Sequence, residues 1–179
     1  MTAERPILTF RSSITTPATL DAVYTVLADV NTHLVWEGEQ SDDKKFKLVT
    51  LEAPAGAAAK GMTFSSTGIV PMGTFHDSSV VTDATPRQRF VFRTHSRLER
   101  KHRPALLAEF ENRYTLQPEG NQTLIAYECS VWPQNYVPYW LKPGMRALCR
   151  MSVERTINKN LVRLGAMAST QRAAVAAVA

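Results

Sequence analysis

At 179 residues and 44% hydrophobic, the chain can bury one sizeable core, which sets the expectation of a single domain over 1–170 and a small-residue tail at 171–179. No run approaches the roughly 20 apolar residues that cross a bilayer, residues 1–6 lack a secretory layout, and Cys129 and Cys149 have no histidine at ligand spacing; a cytoplasmic protein with no metal, cofactor or disulfide framework is expected. The net charge of +5 gathers in 142–172, where seven Lys or Arg face one acid, Glu154; with no nucleic-acid motif and no stacking aromatics, this excludes nucleic acid as the expected partner and leaves a solvated helix face or a transient contact with an acidic membrane surface.

Residues 7–14 alternate, with Leu8, Phe10 and Ser12 opposing Ile7, Thr9 and Arg11, as in a half-buried strand. Thr15 and Thr16 then offer a helix cap, with Pro17 in the first turn. Leu20, Val23, Tyr24 and Leu27 follow at helical spacing. Asp29 and Asn31 stop that helix and open a short second one carrying His33, Leu34 and Trp36.

From residue 46 the period becomes two. Strands are expected at 46–51, at 62–67 with Met62, Phe64 and Ser66 on one face, and from the Pro71 to Gly73 turn to Thr82. After Pro86, Phe90, Phe92, Thr94 and Ser96 share one face and Arg93, His95 and Arg97 the other. The charges face water, so the phenylalanines face the core. A basic loop at 100–104 leads to 107–116, where Phe110, Asn112, Tyr114 and Leu116 oppose Glu109, Glu111 and Arg113. A turn at 118–121 precedes the last strand, 123–132, with Ile125, Tyr127, Cys129 and Val131 in one row. The long helix, 144–168, steps through Met145, Cys149, Val153, Ile157, Leu161, Leu164 and Ala168.

This order implies an α+β helix-grip fold: a curved antiparallel seven-stranded sheet, arranged β-α-α-β6-α, wrapped around the C-terminal helix. A single helix does not fill the hollow of a strongly curved sheet, so an internal cavity is expected between them.

Four pieces of sequence carry a family likeness: TPATLDAVYTVLADVNTHLVWEG at 16–38, GMTF at 61–64, VVTDATPRQRFVFR at 80–93 and RYTLQPEGNQTLIAYE at 113–128. With their spacing, the chain resembles the Bet v 1-like, START-like superfamily, of the bacterial polyketide cyclase/dehydrase and lipid-transport type. The resemblance implies a hydrophobic ligand, such as a lipid, polyketide or isoprenoid. An aromatase, cyclase or dehydratase acting in the same cavity is the alternative it implies. Two departures from the simplest members, a longer basic connection at 97–107 and a proline- and aromatic-rich stretch at 133–143, lie where such folds open.

No nucleophile elbow, Cys/His pairing or phosphate loop is visible. The expected ligand-binding residues follow from strand parity and helix phase. On the sheet they are Phe64, Phe92, Thr94, Phe110, Asn112, Tyr114, Tyr127 and Cys129. On the helix they are Cys149, Ser152 and Thr156, with Asn160 continuing the polar strip. Trp140, with Tyr136 and Tyr139, is expected over the cavity mouth or as an anchor for the helix. His95 and Glu128 point outward by parity, whereas His76 and Asp77 compete for the inward position on their strand. Trp36 closes one end of the cavity by packing.

Overall fold

The computed structural model describes residues 5–39, 47–135 and 143–176. Seven strands, β1 (Leu8–Thr16), β2 (Lys47–Glu52), β3 (Thr63–Val70), β4 (Gly73–Thr85), β5 (Arg89–Arg100), β6 (Arg103–Glu119) and β7 (Gln122–Pro133), form one antiparallel sheet. Its order is β1-β7-β6-β5-β4-β3-β2. Helix α1 (Leu20–Ala28), a 3₁₀ turn (Val30–Thr32) and one wide helical turn (Leu34–Glu39) separate β1 from β2, and helix α2 (Pro143–Ala176) follows β7. No helix among the described residues is long and apolar enough to cross a membrane.

Cross-strand register turns the alternation of each strand into continuous interior rows. Phe64, Ser79, Thr94, Phe110, Val131 and Leu8 are paired neighbours in one row. Val81, Phe92, Asn112, Cys129 and Phe10 make the next, and Phe90, Tyr114, Tyr127 and Ser12 a third. A slip of one residue would turn a strand's whole set outward, so the buried face fixes the pairing. A bulge between Val81 and Asp83 takes up one residue and keeps Ala84 opposite Phe90. The outer face carries ion pairs between neighbouring strands: Arg11 with Glu128 at 2.7 Å and Arg93 with Glu111 at 3.0 Å. Solvent screens such pairs, which contribute little each.

Three details differ from the sequence-based expectations. The cap of α1 is Thr19, which accepts from the Ala22 N–H, because β1 continues to Thr16 in register with Thr123. The Thr16 hydroxyl instead donates to the Gly165 carbonyl on α2. The basic stretch expected as a loop is strand almost throughout. Arg100 pairs with Arg103, and His102 adopts φ 59° in the tight turn, so no long opening exists there. Finally, α2 has 34 residues, reaches Ala176 and takes in the start of the expected tail, a length of about 51 Å at 1.5 Å per residue.

Helix α2 lies along one side of the sheet, its backbone approaching β1, α1 and the wide turn. Leu161, Leu164 and Ala168 join Val23, Val26, Leu27, Phe90 and Ile125 in the main core, while Cys149, Val153 and Ile157 pack against Leu8, Phe10, Cys129 and Val131. Arg150 donates to the Thr9 carbonyl, Glu154 accepts from the Arg11 N–H and Asn158 donates to Ser12. Part of the helix's polar surface is thus spent on gripping β1. On the middle strands the inward-facing Phe92, Phe110 and Asn112 nonetheless keep accessible surface, which marks a hollow on this face of the sheet.

Gly68 of β3 shows how closely β2, β3 and β4 are packed. A Cβ there would stand 2.1 Å from the Phe75 ring and 2.6 Å from the Lys47 carbonyl oxygen. The ring can turn away, but the carbonyl belongs to a paired strand. Gly68→Ala is expected to cost about 1–3 kcal/mol of stability, and an unchanged melting temperature would contradict the packing described.

Candidate ligand-binding site

The hollow is walled by side chains set deep in the protein that still keep accessible surface. Phe92, Phe110, Asn112, Tyr127, Asp77 and Glu37 are all half-buried, although they point to the interior face. Burial raises the Tyr127 hydroxyl well above its ordinary pKa and pushes the Glu37 carboxyl up to about 7 and Asp77 up to about 6. Desolvation together with residual access marks groups that line a cavity rather than a sealed core.

The apolar part of this wall is aromatic. Phe64 and Phe92 meet edge to face with ring centroids 5.3 Å apart, Phe90 lies 5.9 Å from Phe92, and Tyr114 and Tyr127 are tilted at 4.7 Å. Polar groups are set among the rings and mostly bind one another. Tyr127 donates to Asn112 Oδ1 at 2.6 Å, Tyr114 donates to Glu37 Oε1 at 3.3 Å, and the buried hydroxyls of Ser79 and Thr94 are 2.8 Å apart. His33 hydrogen-bonds the Leu27 carbonyl through Nε2 at 2.9 Å. Its burial lowers the ring's pKa to about 4, so the imidazole is neutral near pH 7.

The expected sheet residues therefore come together on one wall: Phe64, Thr94, Tyr114 and Cys129 buried, Phe92, Phe110, Asn112 and Tyr127 half-buried. Cys129 is an inert thiol, pushed up to about 12 by burial, and burial also raises Cys149. On α2, Ser152 and Thr156 lie on the flank opposite the residues that bond β1, as about 100° per residue requires. Ser152 is exposed, and the Thr156 hydroxyl turns back to the Ser152 carbonyl. Tyr136, Tyr139 and Trp140 lie outside the described residues.

The choice between His76 and Asp77 is resolved. β4 starts at Gly73 opposite Val70 without a bulge, which puts Phe75, Asp77 and Ser79 inward. His76 faces out, 3.8 Å from Glu99. His95 and Glu128 lie on the outer face as expected, beside Glu109 and Arg11. That outer face carries a shallow cleft of about 480 Å³ lined by Arg11, Arg113 and Glu128 among others, but its charges are paired and solvated, which suits it poorly to an apolar guest.

Sequence reasoning missed Glu37. It sits between Trp36 and Gly38, in a segment read only as packing. A Cβ at Gly38 would lie 2.6 Å from the Leu48 carbonyl oxygen, so glycine lets the wide turn close on β2 and carries the neighbouring carboxylate to the Tyr114 hydroxyl. The available signal was an acid beside a buried tryptophan and a glycine.

No protein-family profile and no curated protein matches the chain in sequence. Solved structures match it over nearly its whole length. A conserved protein of Geobacillus kaustophilus has a TM-score of 0.65 at 16% identity, over 91% of this chain and 96% of that one. Ara h 8.0201 gives 0.59 at 10%, over 91% and 98%. DynU16, from the dynemicin biosynthetic locus, gives 0.54 at 17%, over 91% of this chain and 48% of its own. The chain therefore shares the helix-grip fold of these structures, a curved antiparallel sheet with a long C-terminal helix. At these identities the likeness carries architecture and leaves activity to the site itself.

Proposed function

We propose that the protein binds a hydrophobic small molecule, of the lipid, polyketide or isoprenoid kind, in the hollow between the sheet and α2. The observation that supports this is the half-buried aromatic wall. Phe92, Phe110 and Tyr127 face inward on the central strands and stay half-buried even with α2 packed in the same clusters. A folded protein does not leave inward rings in contact with water without cost, at about 25 cal/mol per Å² of apolar surface, and a guest removes that cost.

The neutral dye Nile red is expected to titrate the folded protein to saturation at one site. Phe110→Asp places a carboxylate in the row between Thr94 and Val131 and is expected to weaken uptake at least tenfold. Its fold is to be verified by circular dichroism. Saturable uptake equal to that of the parent would place the guest elsewhere.

A second reading, cyclisation or dehydration of a polyketide-like substrate in the same hollow, is favoured by Glu37. Its carboxyl is held near 7 within reach of the Tyr114 hydroxyl, as suits a group that gives and takes a proton at neutral pH. Mass spectrometry of the bound molecule after incubation separates the two: a carrier returns it unchanged and a cyclase returns it with water lost or a ring formed.

A further inference from the structure

Among the polar groups on the interior wall, Asp77 is set apart by having an acceptor with nothing to accept. It lies inward on β4, in register with Ser66 on β3 and Ser96 on β5. The Ser96 hydroxyl serves the carboxyl, but Oδ1 is withdrawn from water and has no hydrogen-bond partner among the described residues. Other polar groups of the interior wall are engaged with one another: Ser79 with Thr94, Asn112 with Tyr127, and Glu37 with Tyr114. The other unpartnered buried atom, Trp36 Nε1, belongs to a side chain with 0% exposure deep in the core, where no guest reaches it. Asp77, by contrast, is half-buried as a residue even though Oδ1 itself is covered.

A carboxylate oxygen accepts hydrogen bonds and donates none, and leaving it buried without a donor costs on the order of 1–3 kcal/mol or more. From this geometry we infer that Asp77 anchors the polar end of the guest, and that the guest is an apolar molecule carrying a hydrogen-bond donor, a hydroxyl or ammonium group, rather than a carboxylate. The rings of Phe64 and Phe92 lie one and two rows further along the same wall, so the donor end sits toward β4 and the apolar body extends over the aromatics. A fatty acid in the same orientation would bring a second carboxylate against Asp77, with repulsion in a medium of low dielectric.

This inference rests on the pocket reading and narrows it. The test is displacement of Nile red at pH 7.5 by decanol, decylamine and decanoate, which share one apolar body. Decanol and decylamine are expected to displace the dye at concentrations at least tenfold below decanoate. Asp77→Asn keeps the size of the side chain and adds an N–H donor. It is expected to bind decanoate more tightly and decylamine more weakly, narrowing the gap to less than threefold, with Nile red affinity unchanged. If Nile red does not saturate the parent, the pocket reading itself fails. If it saturates and decanoate competes as well as decylamine, the pocket stands and the anchoring role of Asp77 is overturned. The comparison of the three ligands on the parent protein decides the matter even if Asp77→Asn does not fold, and Asp77→Ser then serves as the second variant.

Discussion

Glu37→Gln is expected to stabilise the folded protein at pH 8 by about 1–3 kcal/mol and to remove most of the decline in stability that this carboxyl imposes between about pH 4.5 and 7. The carboxyl ordinarily loses its proton near 4.5, whereas desolvation holds it on Glu37 up to about 7. Between those values the folded chain keeps a proton that the unfolded chain has released, so stability falls as pH rises. The full difference is worth about 3 kcal/mol, and residual access of Glu37 to the hollow reduces it. Asp77, raised from 3.8 to about 6, acts with the same sign at lower pH. His33 acts oppositely: the fold holds it neutral down to about 4 against an ordinary 6.5, so its contribution is lost as pH falls through that interval. Glu37 and Asp77 therefore lower stability together as pH rises, His33 offsets part of that slope up to about its ordinary value, and the difference between parent and Glu37→Gln isolates the Glu37 share. Glutamine keeps an oxygen for the Tyr114 hydroxyl, so the hydrogen bond survives the exchange. Urea unfolding of both proteins at pH 5 to 8 measures the effect. Parallel pH profiles would mean that Glu37 is ionised in the fold throughout.

Trp36→Ala is expected to cost about 3–5 kcal/mol, enough to unfold a domain of ordinary stability. The side chain has 0% exposure and meets Tyr114 edge to face at 6.5 Å and His33 at 4.7 Å. It belongs to the core that joins α1, α2 and the sheet, so truncation would leave a cavity at the junction of all three. Trp36→Phe separates volume from polarity. The indole N–H has no acceptor among the described residues, so phenylalanine sacrifices no hydrogen bond there and is expected to retain most of the stability. Equal losses in the two variants would show that the indole N–H, rather than ring volume, holds the site.

The interior wall was legible because strands carry their burial in alternate residues. Phe90, Phe92, Phe110, Tyr114, Tyr127 and Cys129 were placed on the inner face from parity alone, and the register joins them. Parity fails where a residue is inserted, and nothing in VVTDA at 80–84 marks the bulge after Val81. The same dependence left His76 and Asp77 undecided until the Val70 to Gly73 pairing fixed the start of β4. Capping erred for a different reason. Thr15, Thr16 and Thr19 are all competent caps, and the length of β1, set by its partner β7, decides among them. Glu37 stayed hidden because its role depends on Tyr114, which is remote in sequence and reaches it only through tertiary packing.

The sheet order also bears on how the chain is made. β1 is translated before the other strands of this sheet, yet among the described residues its one strand neighbour is β7, with Leu8 opposite Val131. At roughly 5–20 residues per second the ribosome needs on the order of ten seconds to deliver that partner. During the interval Leu8 and Phe10, buried in the finished protein, stand on an unpaired strand. Closing the sheet joins segments from opposite ends of the fold, a step of high contact order that belongs late in folding. The nascent chain is then a β2–β6 meander waiting for both its first strand and its helix, and this is the stage at which it most needs protection from other chains.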